Sequence, residues 1–425
     1  MKMNDVSSIQ NALKNVVKNN PNHIAVKELN TGREITYLSL YEKSEMRSEN
    51  IDDTPYGIIC LPDGIDCAIE FLAHAFIKKP FLARHPSASK YESSLQDKFL
   101  KENFHPIPDG FQIKVSSGTT NKAKFFFVKQ SHRVFYARQL AERLKIIPND
   151  TVFCPVHTTY AIGDITMIMT LISGATFYCN NDLQRVNKKI EEYILDISQY
   201  QPSVVVSSPL TISEIAKVNN IKLSPRVWST AGAPLNYEDA LKIENQISGV
   251  VLNRYGIAEG FMAHMCSIDD TQDKRFLTIG KIETDKIRLG ENGEVLISRD
   301  FLHDFMPTKF NGDWYNIGDF GRIDEDGYLV LTGRKKLLIS LGGRDINPLE
   351  VESLCSGKSC LIGIDGVLYL CVEDDIDPRN YIEETLKIRI NHLWQGKIPE
   401  MSLGKIDRIK MTEIIKQEML KGKSE

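Results

Sequence analysis

The chain has 425 residues, and because a single hydrophobic core stops growing at about 250–300 residues, at least two folding units are expected. Charged residues make up 25% of it and nearly cancel, to a formal net charge of −4, which removes any whole-molecule pull toward nucleic acid or an anionic membrane. Eight cysteines stand in apolar contexts with no CxxC pair and no histidine at ligand spacing, a pattern that fits buried free thiols in a reducing cytosol better than a metal site.

The opening residues, MKMNDVSSIQNALKNVVKNN, carry no apolar run of the signal-peptide kind, so a cytoplasmic protein is expected. Ile9, Leu13, Val16 and Val17 recur on one helical face. HIAVKEL and REITY flank NTG, a hairpin signal, and Ser39 with Glu42 offers a capping box for the next helix. From Tyr56 an apolar strand (YGIICL), a turn (PDG) and an apolar helix (DCAIEFLAHAFI) follow, and the alternation continues through TVFCPV, ATFYCN, PSVVVSS and GVVLNRYG. The longest apolar stretch, ITMIMTLISGATFYC, is too short to span a bilayer and is broken by Ser173 and Gly174, which predicts a core helix running into a strand. This order predicts an α/β architecture with largely buried strands.

Near residue 280 the character changes. KIRLGENGEVLISRD and FGRIDEDGYLVLTGRKK read as short strands separated by ENG and DEDG turns, a β-rich subdomain. Beyond GRKK, strand-like IGIDGVLYLCVE and helix-like RNYIEETLKIRINHLW predict a small α+β domain. A boundary at Gly333 to Lys336 divides the chain into 1–334, a large N-terminal domain of α/β and β-rich subdomains, and 335–425, a small mobile C-terminal domain.

VSSGTTNKAKFFFVKQSH is the first stretch with chemistry in it. Ser116 to Thr120 place hydroxyls and backbone N–H groups where they could wrap a phosphate, yet the same residues are ordinary turn formers, and on their own they leave both readings open. No P-loop of the form GxxxxGK followed by Ser or Thr occurs. Phe125 to Phe127 predict a strand with alternate rings packed inward. Four further segments follow in order: STAGAPL (Ser229 to Leu235), NRYGIAEG (Asn253 to Gly260), WYNIGDFGRIDEDGYLVLTGRKK (Trp314 to Lys336) and MSLGKIDR (Met401 to Arg408).

The ordered set resembles the adenylate-forming superfamily of acyl- and aryl-CoA synthetases, nonribosomal peptide synthetase adenylation domains and firefly luciferase. REITYLSL and GGRDINPLEVE resemble further motifs of that family. The resemblance implies ATP-dependent activation of a small carboxylic acid as acyl-AMP, with release of pyrophosphate. Transfer to a phosphopantetheine thiol, on CoA or an acyl carrier protein, would follow. It also implies roles. Ser116, Ser117, Gly118, Thr119, Thr120 and Lys124 would hold the β- and γ-phosphates, and Glu259 would be a ligand of Mg²⁺. Gly232, Ala233 and Pro234 would line the adenine pocket, Tyr255 beside Gly256 would stack on the base, and Asp319 would accept from the ribose hydroxyls. Arg334 would reach the ribose and phosphate region, and Lys405 would be the catalytic lysine that bridges carboxylate and α-phosphate. Lys336 falls at the family's hinge, Gly342, Gly343 and Arg344 on the loop used for thioester formation, and His157, Ala161 and Ala231 beside the acyl pocket.

The sequence also departs from the family. Asn121 stands for a glycine, Ala123 for a proline and Phe125 for a glycine, while Ala258 replaces a hydroxyl residue and removes one polar contact to the nucleotide phosphate. The segments before the phosphate loop and between GGRDI and GKIDR are short, which implies a minimal stand-alone enzyme. These departures keep a second class in view, a catalytically weakened nucleotide-binding regulatory or scaffold protein. Ala161 occupies the position where α-amino-acid enzymes carry an aspartate, so an aryl or aliphatic acid is expected, with Asp164 as the alternative aspartate if the register slips. Nothing in the sequence fixes the oligomeric state.

Overall fold

The computed structural model describes residues 8–104, 110–116, 124–180, 190–218, 221–233, 235–257, 260, 264–283, 285–302, 304–306, 312–341, 344–355, 357–373, 375–400 and 406–421. They form two compact units, 1–280 with 298–313 and 281–297 with 314–425.

The first unit opens with α1 (Ile9–Asn19), capped by the Ser8 side chain and burying Ile9, Ala12 and Leu13. A hairpin of β1 (Ile24–Glu28) and β2 (Glu34–Thr36) turns at Gly32, whose φ of 73° suits a residue without Cβ. α2 (Tyr37–Ser48) starts earlier than the capping box predicts, because the Thr36 hydroxyl accepts the Ser39 amide and leaves Ser39 and Glu42 inside the helix. There follow β3 (Gly57–Ile59), α3 (Ile65–Phe76), β4 (Phe81–Ala83), α4 (Lys90–Asn103), β5 (Gly110–Ser116), β6 (Lys124–Lys129) and α5 (Gln130–Arg143). The run continues as β7 (Thr151–Phe153), α6 (Ala161–Ile172), β8 (Thr176–Cys179), α7 (Ile190–Tyr200), β9 (Val204–Ser207), α8 (Pro209–Ala216), β10 (Val227–Ala231), α9 (Tyr237–Lys242), β11 (Val250–Tyr255), β12 (His264–Met265) and α10 (Gln272–Leu277).

The chain then passes through β13 (Ile287–Leu289) and β14 (Glu294–Ser298) of the second unit, and returns for β15 (Asp304–Met306). The second unit resumes with β16 (Trp314–Ile323), β17 (Leu329–Arg334), β18 (Ile339–Leu341), β19 (Arg344–Ile346), α11 (Pro348–Glu352), β20 (Ser359–Ile364), β21 (Val367–Val372), α12 (Arg379–Leu386), β22 (His392–Gln395) and α13 (Arg408–Lys421).

In the first unit β12-β11-β10-β9-β7-β8-β1-β2 form one sheet and β15-β6-β5-β4-β3 another. The strands from β11 through β8 to β1 run parallel and are joined by helices, the α/β pattern expected from the sequence. In the second unit β13-β14-β16-β17 form a sheet in which β13 with β14 and β16 with β17 pair antiparallel, and there are also a β18-β19 pair and a β20-β21-β22 sheet. The turn glycines at 293 and 327 take φ of 81° and 85°, in the ENG and DEDG turns.

Phe125 to Phe127 do form a strand, but all three rings are buried rather than alternate ones. β6 lies between β5 and β15 with both faces covered. Phe125 and Phe127 pack with Leu82, Leu100 and Ile113, and Phe126 takes the opposite face. None of the eight cysteines is in a disulfide; Cys60 departs from the expected burial because it follows edge strand β3 and is exposed. No helix among the described residues is long and apolar enough to cross a membrane.

Candidate active site

Strand register decides which side chains meet in the first unit. Phe153, Val205, Trp228 and Val251 are lateral neighbours and enter the core with residues of α7, α8 and α9. Side chains alternate along a strand, so Val206, Ser229 and Leu252, with Ala231 beside Arg254, face the other way. That second face lies toward α6. Ile162 of α6 reaches within 3.6 Å of where a Cβ on Gly232, directly after β10, would stand.

At these strand ends the protein leaves polar atoms unsatisfied by other described residues. On the α6 face they are Ser229 Oγ and Arg254 Nε and Nη2; on the opposite face, which Tyr255 shares, they are Thr230 Oγ1 and Asn253 Oδ1. Buried polar atoms nearly always have partners, and the carboxyl ends of parallel strands are where open α/β sheets bind ligands. These orphaned groups therefore fit a ligand with a part on each face. The chain after β10 turns at Gly232 with φ 99°, where among the described residues only Ile162 stands within 4 Å of an added Cβ. Ala233 follows, Gly256 comes directly after β11, and Tyr255 is buried.

His157 is held on both sides: its Nδ1 accepts from the Thr159 amide at 3.1 Å, which leaves Nε2–H to donate to Leu61 O at 3.2 Å. Asp63 accepts from the Thr158 amide and hydroxyl in the same loop. Gly163 is needed where α6 meets this loop, since a Cβ there would strike the carbonyls of Val156 and His157. Ala161 opens α6. Asp164, one turn on, is fully buried, with Lys114 Nζ at 2.7 Å and Arg133 Nη2 at 3.2 Å. Burial pushes the Lys114 ammonium down to about 8 against the opposing pull of Asp164.

β5 and β6 form an antiparallel hairpin that pairs Gly110 with Lys129, shifts by one residue before Gln112, and then runs in register to Ser116 opposite Lys124, so 117–123 is the hairpin connection. Ser117, Gly118, Thr119, Thr120 and Asn121 lie in it, outside the described residues, as do Pro234, Ala258, Glu259, Gly342, Gly343 and Lys405. Residues 401–405 are flanked by a β-bridge between Glu400 and Ile406.

In the second unit Asp319 and Arg334 are register partners on β16 and β17, with Arg334 Nε 3.2 Å from Asp319 Oδ1. Asp319 is 7% exposed, while its partner Arg334 stands half in solvent. Lys336 sits exposed in the short 3-10 turn Lys335–Leu337, and Arg344 donates to the carbonyls of Leu386 and Lys387 at 3.4 Å. Among the described residues no cluster of His, Cys, Asp or Glu could hold a metal ion.

Arg254, Asn253 and Ser229 lie within the two motifs but receive no role from the resemblance, although VVLNRY shows the signal for the first. Val250, Leu252 and Arg254 alternate onto one face, an arginine in line with apolar residues.

Residues 83–297, half of the chain, match the family model described as AMP-binding enzyme. A CoA ligase of Rhodococcus jostii, named for a methyl-dioxo-octahydroindenyl propanoyl group, is 25% identical over 274 residues, 60% of this chain and 53% of that protein. A 2-succinylbenzoate–CoA ligase of Listeria monocytogenes is 24% identical over 329 residues, 71% of this chain and 69% of that protein. The chain thus spans about half the length of the first of these relatives and somewhat over two thirds of the second. The crystal structure of an anthranilate CoA ligase in complex with anthranoyl-AMP superposes with a TM-score of 0.80 at 17% identity, covering 97% of this chain and 99% of that one. With this fold, and with a family match that contains STAGAPL and NRYGIAEG, the chain belongs to the AMP-binding enzyme family.

Proposed function

We propose that the protein is an acid–thiol ligase that activates a small carboxylic acid with ATP. The carboxylate oxygen attacks the α-phosphate, the bond to pyrophosphate breaks, and an acyl-AMP forms. A phosphopantetheine thiol, of CoA or of a carrier protein, then attacks the acyl carbon and releases AMP. The observation that carries this reading is the pair of polar groups left unsatisfied on the two faces of β10 and β11, inside the two motifs that resemble nucleotide-binding segments. Thr230, Asn253 and Tyr255 offer a face to the base, while Ser229, Ala231 and Arg254, under α6 with Ala161 and the His157 loop, offer the other to the acid.

Each further residue has a physical task in this scheme. Two anions must be held together while charge builds on pyrophosphate, which calls for fixed donors and cations. Ser116 and Lys124, paired at the ends of β5 and β6, together with Ser117, Gly118, Thr119 and Thr120 of their connection, hold the terminal phosphates. Asp319, steadied by Arg334, accepts from the ribose hydroxyls. Lys405 brings a point charge to the reacting carboxylate and α-phosphate, and the small C-terminal domain from 335 to 425 turns at Lys336 to present Gly342, Gly343 and Arg344 for the thiol step. Glu259 holds Mg²⁺, which when bound neutralises phosphate charge. The acid lacks an α-amino group: Ala161 has no carboxylate for an ammonium, and Asp164 is committed to Lys114 and Arg133. Eight thiols without a disulfide favour the cytoplasm.

The experiment is ATP–pyrophosphate exchange across a panel of aryl, aliphatic and amino acids. Exchange that depends on one class of non-amino acid is expected. Nucleotide binding without exchange for any acid would instead establish a regulatory or scaffold role.

A further inference from the structure

Arg254 lies near the carboxyl end of β11 with 5% of its surface exposed. Other buried guanidinium groups of the first unit have carboxylates: Arg275 meets Glu244 at 2.8 Å, and Arg133 meets Asp164 at 3.2 Å. Arg254 has none among the described residues, and its Nε and Nη2 are without hydrogen-bond partners. Burial lowers this guanidinium to about 10, with only the Cys154 thiol pulling the other way, and at neutral pH it remains a cation. A buried cation without a counter-charge is costly, and an apolar side chain of similar length would serve the fold as well or better. Its retention at a strand end therefore points to a ligand.

The surroundings select the kind of ligand. Ala231, the register partner of Arg254 on β10, contributes only a methyl group, Gly232 follows it, and the orphaned Ser229 hydroxyl faces the same way. Small side chains and one hydroxyl donor thus stand beside a planar fork of donors that matches a carboxylate in two parallel hydrogen bonds.

We propose that Arg254 receives a second carboxylate of the acid substrate, so that the protein prefers dicarboxylic acids: one carboxylate reacts with ATP, and the other pairs with Arg254 beside the Ser229 hydroxyl. The inference rests on the acid-activating reading above and narrows it. A substrate with an ester or a hydrogen in place of the second carboxylate would leave the buried cation unpaired, and sites built around such a pair discriminate strongly.

The test is ATP–pyrophosphate exchange with aromatic and aliphatic diacids, each against its monomethyl ester and the corresponding monoacid, for wild type, Arg254→Met and Arg254→Lys. Wild type should prefer a diacid over its monoester by about 100-fold or more in kcat/KM. Arg254→Met should erase most of that ratio, chiefly by raising KM for the diacid, and should melt no lower than wild type; Arg254→Lys should keep part of the preference. Exchange that persists with monoacids and diacids alike, or a preference that Arg254→Met leaves in place, overturns this inference alone. No exchange with any acid overturns the acid-activating reading and this inference with it.

Discussion

Replacing Asp164 by alanine should destabilise the first unit rather than retune substrate choice. The carboxylate is fully buried on α6, with Lys114 of β5 at 2.7 Å and Arg133 of α5 at 3.2 Å on the same oxygen. Lys114 keeps carbonyl partners at Thr158 and Thr159, 3.3 and 2.8 Å away, so the loss is mainly of counter-charge. Removing one member of a buried ionic cluster costs about 3–5 kcal/mol because the others remain buried and uncompensated. With a urea slope of about 3 kcal/mol per molar, the midpoint should fall by about 1–1.7 M. Fluorescence of Trp228, fully buried in this unit, reports the transition. Adding Lys114→Met and Arg133→Met should recover most of the loss.

The pH dependence has a definite sign. Lys114 drops from 10.5 to about 8 on folding, so between these values the unfolded chain binds more protons and stability rises with pH. That contribution is complete above 10.5 and is lost as pH falls through 8. Lys114→Met should remove it, and Asp164→Ala, which takes away the influence that raises Lys114, should shift it to lower pH. A midpoint change below about 0.3 M for Asp164→Ala, or a well-folded variant with altered acid preference, would refute the assignment of Asp164 to internal packing.

Lys405→Ala should lower acid-dependent pyrophosphate exchange by about 100-fold or more while leaving thioester formation from supplied acyl-AMP largely intact; equal loss of both half-reactions would contradict the two-conformation scheme. Asp319→Asn should weaken AMP binding by about 10- to 100-fold in calorimetric titration, and a change under about twofold would remove Asp319 from the nucleotide site. Gly163→Ala forces a Cβ into the carbonyls of Val156 and His157 and should cost about 1–3 kcal/mol in thermal unfolding, with acid exchange falling alongside.

The α/β alternation, the hairpin-rich region after residue 280 and the ordered motifs were legible because each is written in local periodicity or in contiguous residues. What was not legible depends on partners distant in sequence. The start of α2 turned on the Thr36 hydroxyl, a contest between two adjacent caps that composition does not decide. Burial of all three phenylalanines required β15, which joins β6 from far along the chain. Asp164 was readable as a candidate ammonium receptor until Lys114 and Arg133, from two other elements, were seen to claim it. Arg254 shows the same limit in reverse: its place on an apolar face is in the sequence, but the absence of a protein partner among the described residues emerges only in three dimensions.

The central claim is that the acid's own oxygen attacks the α-phosphate. Incubating the protein with ATP, a thiol acceptor and an accepted acid labelled with ¹⁸O in its carboxylate tests this directly by mass spectrometry of the nucleotide products. One ¹⁸O atom per AMP, matched by formation of thioester and pyrophosphate, is the predicted result. Label appearing in inorganic phosphate with ADP as the nucleotide, or unlabelled AMP, would contradict it.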